Sequence, residues 1–191
     1  MSFISKVRSS FHKIIEPIIV LLVKLRITPN MVTTSALLFL GITVYFIVQK
    51  QLLIAGLLLI LTSVVDSVDG AVAAKVGSTK FGDFYDAFID RIVEAVIFVA
   101  LAYAYPKYYL LCFVALVFSF MTSYIAARAE VWTIGIKIKY LGIGGRAGRL
   151  ITLILALLFN QLSLGLSILI LLAGLTMVSR TITTFNVLRK K

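Results

Sequence analysis

Residues 66–90 read DSVDGAVAAKVGSTKFGDFYDAFID, and the five aspartates in that stretch decide how the rest of the chain is read. Asp66, Asp69, Asp83, Asp86, Asp90 and, just beyond, Glu94 are six of only eight acidic residues in the chain, and they sit in strongly apolar surroundings. A carboxylate at membrane depth costs at least ~2.5–3.5 kcal/mol on insertion scales, so such a cluster needs compensating positive charge. Arg91, Lys75 and Lys80 are too few and too scattered to supply it. Bound divalent cations are the simplest compensation.

Composition makes membrane depth the right frame. The chain is 61% hydrophobic with a mean hydropathy of +1.06, far outside the soluble range, which predicts an all-α integral membrane protein. Its 191 residues amount to one domain. The net charge of +11 points to anionic lipid headgroups or a phosphate-bearing substrate as partners. Nucleic acid is not expected, because the basic residues fall between apolar runs and form no continuous stripe. Cys112 is alone and lies in an apolar run, so no internal disulfide forms. No cleavable signal peptide is expected, since the N-terminus is amphipathic where a compact apolar core would be required.

Phe3, Ile4, Val7, Phe11, Ile14, Ile15 and Ile18 recur at helical spacing, with Lys6, Arg8, His12 and Lys13 elsewhere on the wheel. Residues 1–26 are therefore expected to carry a juxtamembrane amphipathic helix lying on the membrane. The apolar run from Ile14 to Leu25 is too short to cross. Pro29 breaks the chain and Asn30 can cap the helix that begins there. Residues 27–191 then form the expected six-helix transmembrane catalytic domain, with spans near 31–49, 51–76, 81–105, 107–132, 147–161 and 163–187. Every Lys and Arg other than Lys50, Arg91 and Lys107 falls on one side of that topology. The excess puts both termini in the cytoplasm, with the aspartate cluster near the same face.

Asp66 and Asp69 are three apart, and Asp86 and Asp90 four apart, so each pair shares a helix face. Gly70, Gly77 and Gly82 in the joining segment let the two helices run antiparallel and bring the pairs together. Four carboxylates from two helices make an oxygen-only site suited to Mg²⁺, Mn²⁺ or Ca²⁺ and poor for zinc. Two ions would offset most of the charge. Gly70, directly after Asp69, leaves room for a phosphate or nucleotide to approach the backbone. A proton or cation pathway, and plain ion pairing with arginine, are the competing readings of acids in a membrane. Against transport, the chain shows no internal repeat, and its prolines, Pro17, Pro29 and Pro106, stand at segment boundaries.

Asp66-x2-Asp69-Gly70-x2-Ala73 followed by Gly82-x3-Asp86-x3-Asp90 resembles the signature of the CDP-alcohol phosphotransferases, membrane enzymes that displace CMP from a CDP-linked alcohol with a second alcohol's hydroxyl. The likeness runs from Pro29-Asn30-x2-Thr33 to the sixth span. It implies six transmembrane helices, a homodimer, a cavity open to the cytoplasm and two Mg²⁺ or Mn²⁺ ions. It further implies that Asp66, Asp69 and Asp86 ligate metal, and that Asp90, beside or among the ligands, is the general base. Asn30, Thr33, Asp66, Asp69, Gly70, Ala73, Lys75 and Gly82 would surround the donor nucleotide of a CDP-lipid. Two positions depart from the pattern: Ala74 stands where the family has Arg, with Lys75 next, and the spacing to Gly82 is one residue short. Lys75 supplies a point charge without a guanidinium's bidentate geometry. Asp83 lies outside the motif and reads as rim or cap.

SYIAARAEVW at 123–132 and GGRAGR at 144–149 resemble the elements of members that use inositol 1-phosphate, the phosphatidylinositol-phosphate and archaetidylinositol-phosphate synthases. Arg128, Arg146 and Arg149 would then clamp the phosphate of a polar alcohol phosphate, with Glu130 as local counter-ion. Simple anchoring of helix ends in headgroups is the alternative. Ala126 replaces a lysine of that pattern, and Gly145 and Gly148 replace acidic residues. Glycerol 3-phosphate, serine or another alcohol therefore remain alternatives to inositol 1-phosphate.

Overall fold

A computed structural model of the chain describes residues 16–132 and 143–189. Most of the described residues are helical, with no strand among them. After helical backbone over 16–24 come α1 (Pro29–Val48), α2 (Leu52–Val76), α3 (Lys80–Ala104), a single 3₁₀ turn (Pro106–Tyr108), α4 (Tyr109–Trp132), α5 (Arg146–Leu158) and α6 (Leu162–Arg189). A helix thus stands at each position where a span was expected. Most of the amphipathic stretch read in residues 1–26 lies outside the described residues. Of its apolar positions only Ile18 is described, and it is exposed, while its neighbour Ile19 is buried.

Four of the helices are long and apolar enough to cross a membrane: α1, α2, the 3₁₀ turn together with α4, and α6. The protein is therefore an all-helical membrane protein. Leu38, Tyr103, Phe113 and Leu171 are each more than 60% exposed, surface that lipid solvates and water does not. The other two helices miss that standard for physical reasons. In α3 the first half carries Asp83, Asp86, Asp90 and Arg91. The thirteen residues of α5 extend only about 20 Å, short of the ~30 Å hydrocarbon core.

The chain divides into two compact units. One combines the described residues up to Gly41 with Ile60–Val93. Its core joins Ile19 to Val32 on α1 and Val68 and Val72 on α2. Val68 directly precedes Asp69, so packing on one side of α2 fixes the direction of its acidic side. The turn between α2 and α3 is only Gly77-Ser78-Thr79. Gly77 takes φ +98°, which suits glycine, and donates its N–H to Ala73 O at 2.9 Å to close α2. Thr79 then caps α3, accepting the Gly82 N–H at 3.0 Å on Oγ1.

The second unit combines Ile42–Leu59 with the described residues from Glu94 onward. Within it α6 packs along α4 and α5. Gly165 lies so close to Ala156 of α5 that a Cβ there would overlap the alanine methyl. Small residues at such crossings are how membrane helices approach closely.

Candidate active site

Asp66 and Asp69 come from α2 and Asp86 from α3, and one carboxylate oxygen of each lies within 4.8 Å of the others. The short α2–α3 turn produces this convergence, because it sets the ends of the two helices side by side. Asp69 is buried, and Thr33 Oγ1 donates to its Oδ2 at 2.8 Å while lying 3.1 Å from Pro29 O. The Pro29–Thr33 turn of α1 thereby orients one carboxylate of the trio. Three oxygen donors at this separation fit a hard divalent cation, which lies ~2.0–2.6 Å from each ligand. Asp90 is buried one turn further along α3, outside the trio, with its Oδ2 4.0 Å from Arg91 Nη2.

Beside the trio opens a cavity of about 370 Å³. Asn30, Thr33, Gly70, Ala73 and Gly82 line it together with Asp69 and Asp86, so most residues assigned to the nucleotide from sequence share one space. A Cβ on Gly70 would meet no protein atom within 4 Å, so the room beside that backbone is open. At Gly82 a Cβ would come within 3.3 Å of both Thr79 Oγ1 and Asn30 Oδ1, so glycine there lets the cap and Asn30 close in. Asp83 lines the cavity from the first turn of α3, where its charge also suits the helix N-terminus. Lys75 does not join this lining; its ammonium is paired with Glu16 in the helical segment ahead of α1. Sequence reading overlooked Thr28, Ser78 and Thr79, which complete the rim. The turn residue before a helix was the available signal for Thr79.

The three arginines have different surroundings. Arg128 is exposed near the end of α4, its guanidinium 5.7 Å from the Trp132 ring. Arg146 is half-buried at the first position of α5. Arg149 is buried, and its Nε and Nη2 donate to Glu94 Oε1 and Oε2 at 2.7 and 3.0 Å. The carboxylate on Arg149 is thus that of Glu94 on α3, whereas Glu130, expected as counter-ion, is exposed. Glu94 stands one turn after Asp90, and that spacing was the signal that could have singled it out.

Residues 26–188 match the sequence profile of the CDP-alcohol phosphatidyltransferases. The chain belongs to the CDP-alcohol phosphatidyltransferase family. An archaetidylinositol phosphate synthase of Pyrococcus horikoshii is 34% identical over 93% of this chain and 94% of its own. Among solved structures, the phosphatidylinositol phosphate synthase of Mycobacterium tuberculosis with CDP-DAG bound has a TM-score of 0.78 at 26% identity, covering 91% of this chain and 94% of its own. The same enzyme in complex with manganese and citrate gives 0.74 at 25% identity, with 88% of each chain covered. As a CDP-alcohol phosphatidyltransferase the chain is an enzyme, a transferase of substituted phosphate groups in phospholipid synthesis. That class replaces the transporter reading of the acidic cluster. The carboxylate trio is a group that could hold a metal ion.

Proposed function

We propose that this phosphatidyltransferase moves a phosphatidyl-type group from a CDP-lipid to a polar phosphorylated alcohol of the inositol 1-phosphate kind and releases CMP. The observation that carries the reading is the convergence of Asp66, Asp69 and Asp86 within 4.8 Å beside the 370 Å³ cavity. That volume lies in the range of small-molecule sites, about 300–1,000 Å³. The three carboxylates would hold Mg²⁺ or Mn²⁺, two ions in all. Divalent ions held there would supply positive charge to offset that on the diphosphate and on the departing CMP. Asn30, Thr33, Gly70, Ala73 and Gly82 take the nucleotide, with Gly70 giving the backbone access that a phosphate needs. Lys75 is left out of that set because Glu16 engages it.

Asp90 is assigned the base. Its carboxylate accepts the proton of the acceptor hydroxyl as that oxygen bonds to the lipid-bearing phosphorus and the phosphorus–oxygen bond to CMP breaks. Position outside the trio favours this role over that of ligand. Arg128 and Arg146 hold the acceptor's own phosphate, a task suited to planar guanidinium forks. Arg149 belongs to the frame of that clamp. The likeness to an archaetidylinositol phosphate synthase and a phosphatidylinositol phosphate synthase, together with Arg128 and Arg146 at the matching motif positions, supports a phosphorylated acceptor.

The same reading takes residues 27–191 as a catalytic domain of six spans that works as a homodimer. Residues 1–26 lie on the membrane surface, and both termini and the cavity face the cytoplasm of the cell. Purified protein given CDP-diacylglycerol, Mg²⁺ and a panel of acceptors tests the function. CMP release with inositol 1-phosphate, and much less with glycerol 3-phosphate, serine or inositol, is the expected result. Release with glycerol 3-phosphate or serine instead would replace the acceptor and keep the chemistry.

A further inference from the structure

Away from the carboxylate cavity, the most demanding arrangement among the described residues surrounds the start of α5. Arg149 is 1% exposed, and its two hydrogen bonds to Glu94 form a bidentate pair. Its Nη1 donates to Gly144 O at 3.0 Å, and Ser123 Oγ lies 3.5 Å from Nη2. Gly144 in turn donates its N–H to Thr176 Oγ1 of α6 at 2.9 Å. A Cβ on Gly144 would overlap the Leu172 carbonyl, and one on Gly148 would overlap that of Ile143. The turn Ile143–Gly145 is therefore held from α3 through Glu94 and Arg149, and from α6 through Thr176.

What this turn delivers is Arg146. Gly145 is the N-cap of α5 and has no side chain to cap with, so the hydrogen bond from Arg149 N to Gly145 O at 3.1 Å begins the helix. With no side-chain cap, the end of α5 depends on these tertiary contacts for its position. A phosphate binding directly to Arg149 would have to reach a buried fork already satisfied by a carboxylate. Taking Glu94 off it would leave an uncompensated buried charge. The ion pair is thus poorly suited to holding substrate and well suited to holding backbone.

We infer that Glu94 and Arg149 are positioning residues: they lock the Gly144–Gly145 turn and so aim Arg146 at the phosphate of the acceptor. The inference rests on the proposed role of Arg146 as a phosphate ligand. Arg149 acts through Arg146 and makes no contact with the phosphate. The loss of either partner therefore weakens acceptor binding while the donor cavity, built from other residues, keeps its affinity.

A double-mutant cycle decides this. Glu94→Gln, Arg149→Lys, Arg146→Ala and the two doubles with Arg146→Ala are assayed for acceptor KM, donor KM and kcat. Inorganic phosphate binding is measured in parallel by calorimetry, which does not depend on the identity of the alcohol. Glu94→Gln and Arg149→Lys should each raise the acceptor KM and the phosphate Kd about ten- to a hundredfold, with the donor KM within about twofold of wild type. On the Arg146→Ala background each should add less than about twofold. Additive effects would make Arg149 a phosphate ligand and overturn the inference, as would an equal rise in donor KM or no rise in either constant. If Arg149→Lys does not fold, Glu94→Gln runs the same cycle. A wild type that binds phosphate without turning over inositol 1-phosphate overturns the proposed acceptor alone, and the cycle is then read on phosphate Kd. A wild type that binds no phosphate overturns the inference.

Discussion

Thr33 Oγ1 on α1 donates a 2.8 Å hydrogen bond to Asp69 Oδ2 on α2, and both groups are buried. A hydroxyl in that position orients one carboxylate of the trio proposed to hold metal. Partners of that kind typically contribute about 10–100-fold to metal affinity. Thr33→Val keeps the shape and deletes the hydroxyl. CMP release titrated with Mg²⁺ should show half-saturation shifted upward by that factor, with much of the rate recovered at high metal. An unshifted titration would mean that Asp69 is oriented by other contacts.

Gly70 faces open space at the cavity wall. A Cβ there meets no protein atom, so Gly70→Leu should leave the thermal midpoint in detergent near wild type. The intrusion should cost donor binding about 1–3 kcal/mol, or roughly ten- to a hundredfold in Kd for the CDP-lipid. A fall in midpoint with unchanged donor affinity would place the nucleotide elsewhere.

Asp90→Asn removes the assigned base and leaves the carboxylate trio intact. Turnover should fall about 10²–10⁴-fold, the usual contribution of a positioned base, while CDP-lipid binding in the presence of Mg²⁺ persists. Loss of binding along with turnover would make Asp90 a ligand.

Gly165 meets Ala156 where α6 crosses α5. Gly165→Val should separate the two helices and lower stability by about 1–3 kcal/mol, read as an earlier thermal midpoint. The cavity beside the carboxylate trio has no residue at this crossing, so donor affinity of the surviving folded protein should be unchanged.

Much of this was legible in the sequence because lipid simplifies the code. Apolar runs of span length, broken at Pro29, at Lys50-Gln51 and at Gly77–Thr79, locate helices without tertiary information. Asp66, Asp69 and Asp86 stood out because a charge in such a run requires a reason. The features that stayed hidden depend on three-dimensional partners. Lys75 reads as a nucleotide contact from its place in the motif, and only the fold pairs its ammonium with Glu16, fifty-nine residues away. Arg149 reads as a phosphate ligand from its motif position, and only the fold shows that the carboxylate on its fork is that of Glu94 and not of Glu130, nearer in sequence. Periodicity gives the face of a helix, and ion-pair partners across fifty or more residues emerge only from the packing of several helices.

The central claim is that Asp66, Asp69 and Asp86 gather to hold divalent cations. Anomalous diffraction from crystals soaked with Mn²⁺ and CDP-diacylglycerol tests it most directly. Strong manganese peaks within about 2.6 Å of oxygens from all three carboxylates are expected, and they should weaken or vanish in Asp69→Asn. A map with no manganese among these carboxylates, while the nucleotide occupies the neighbouring cavity, would contradict it.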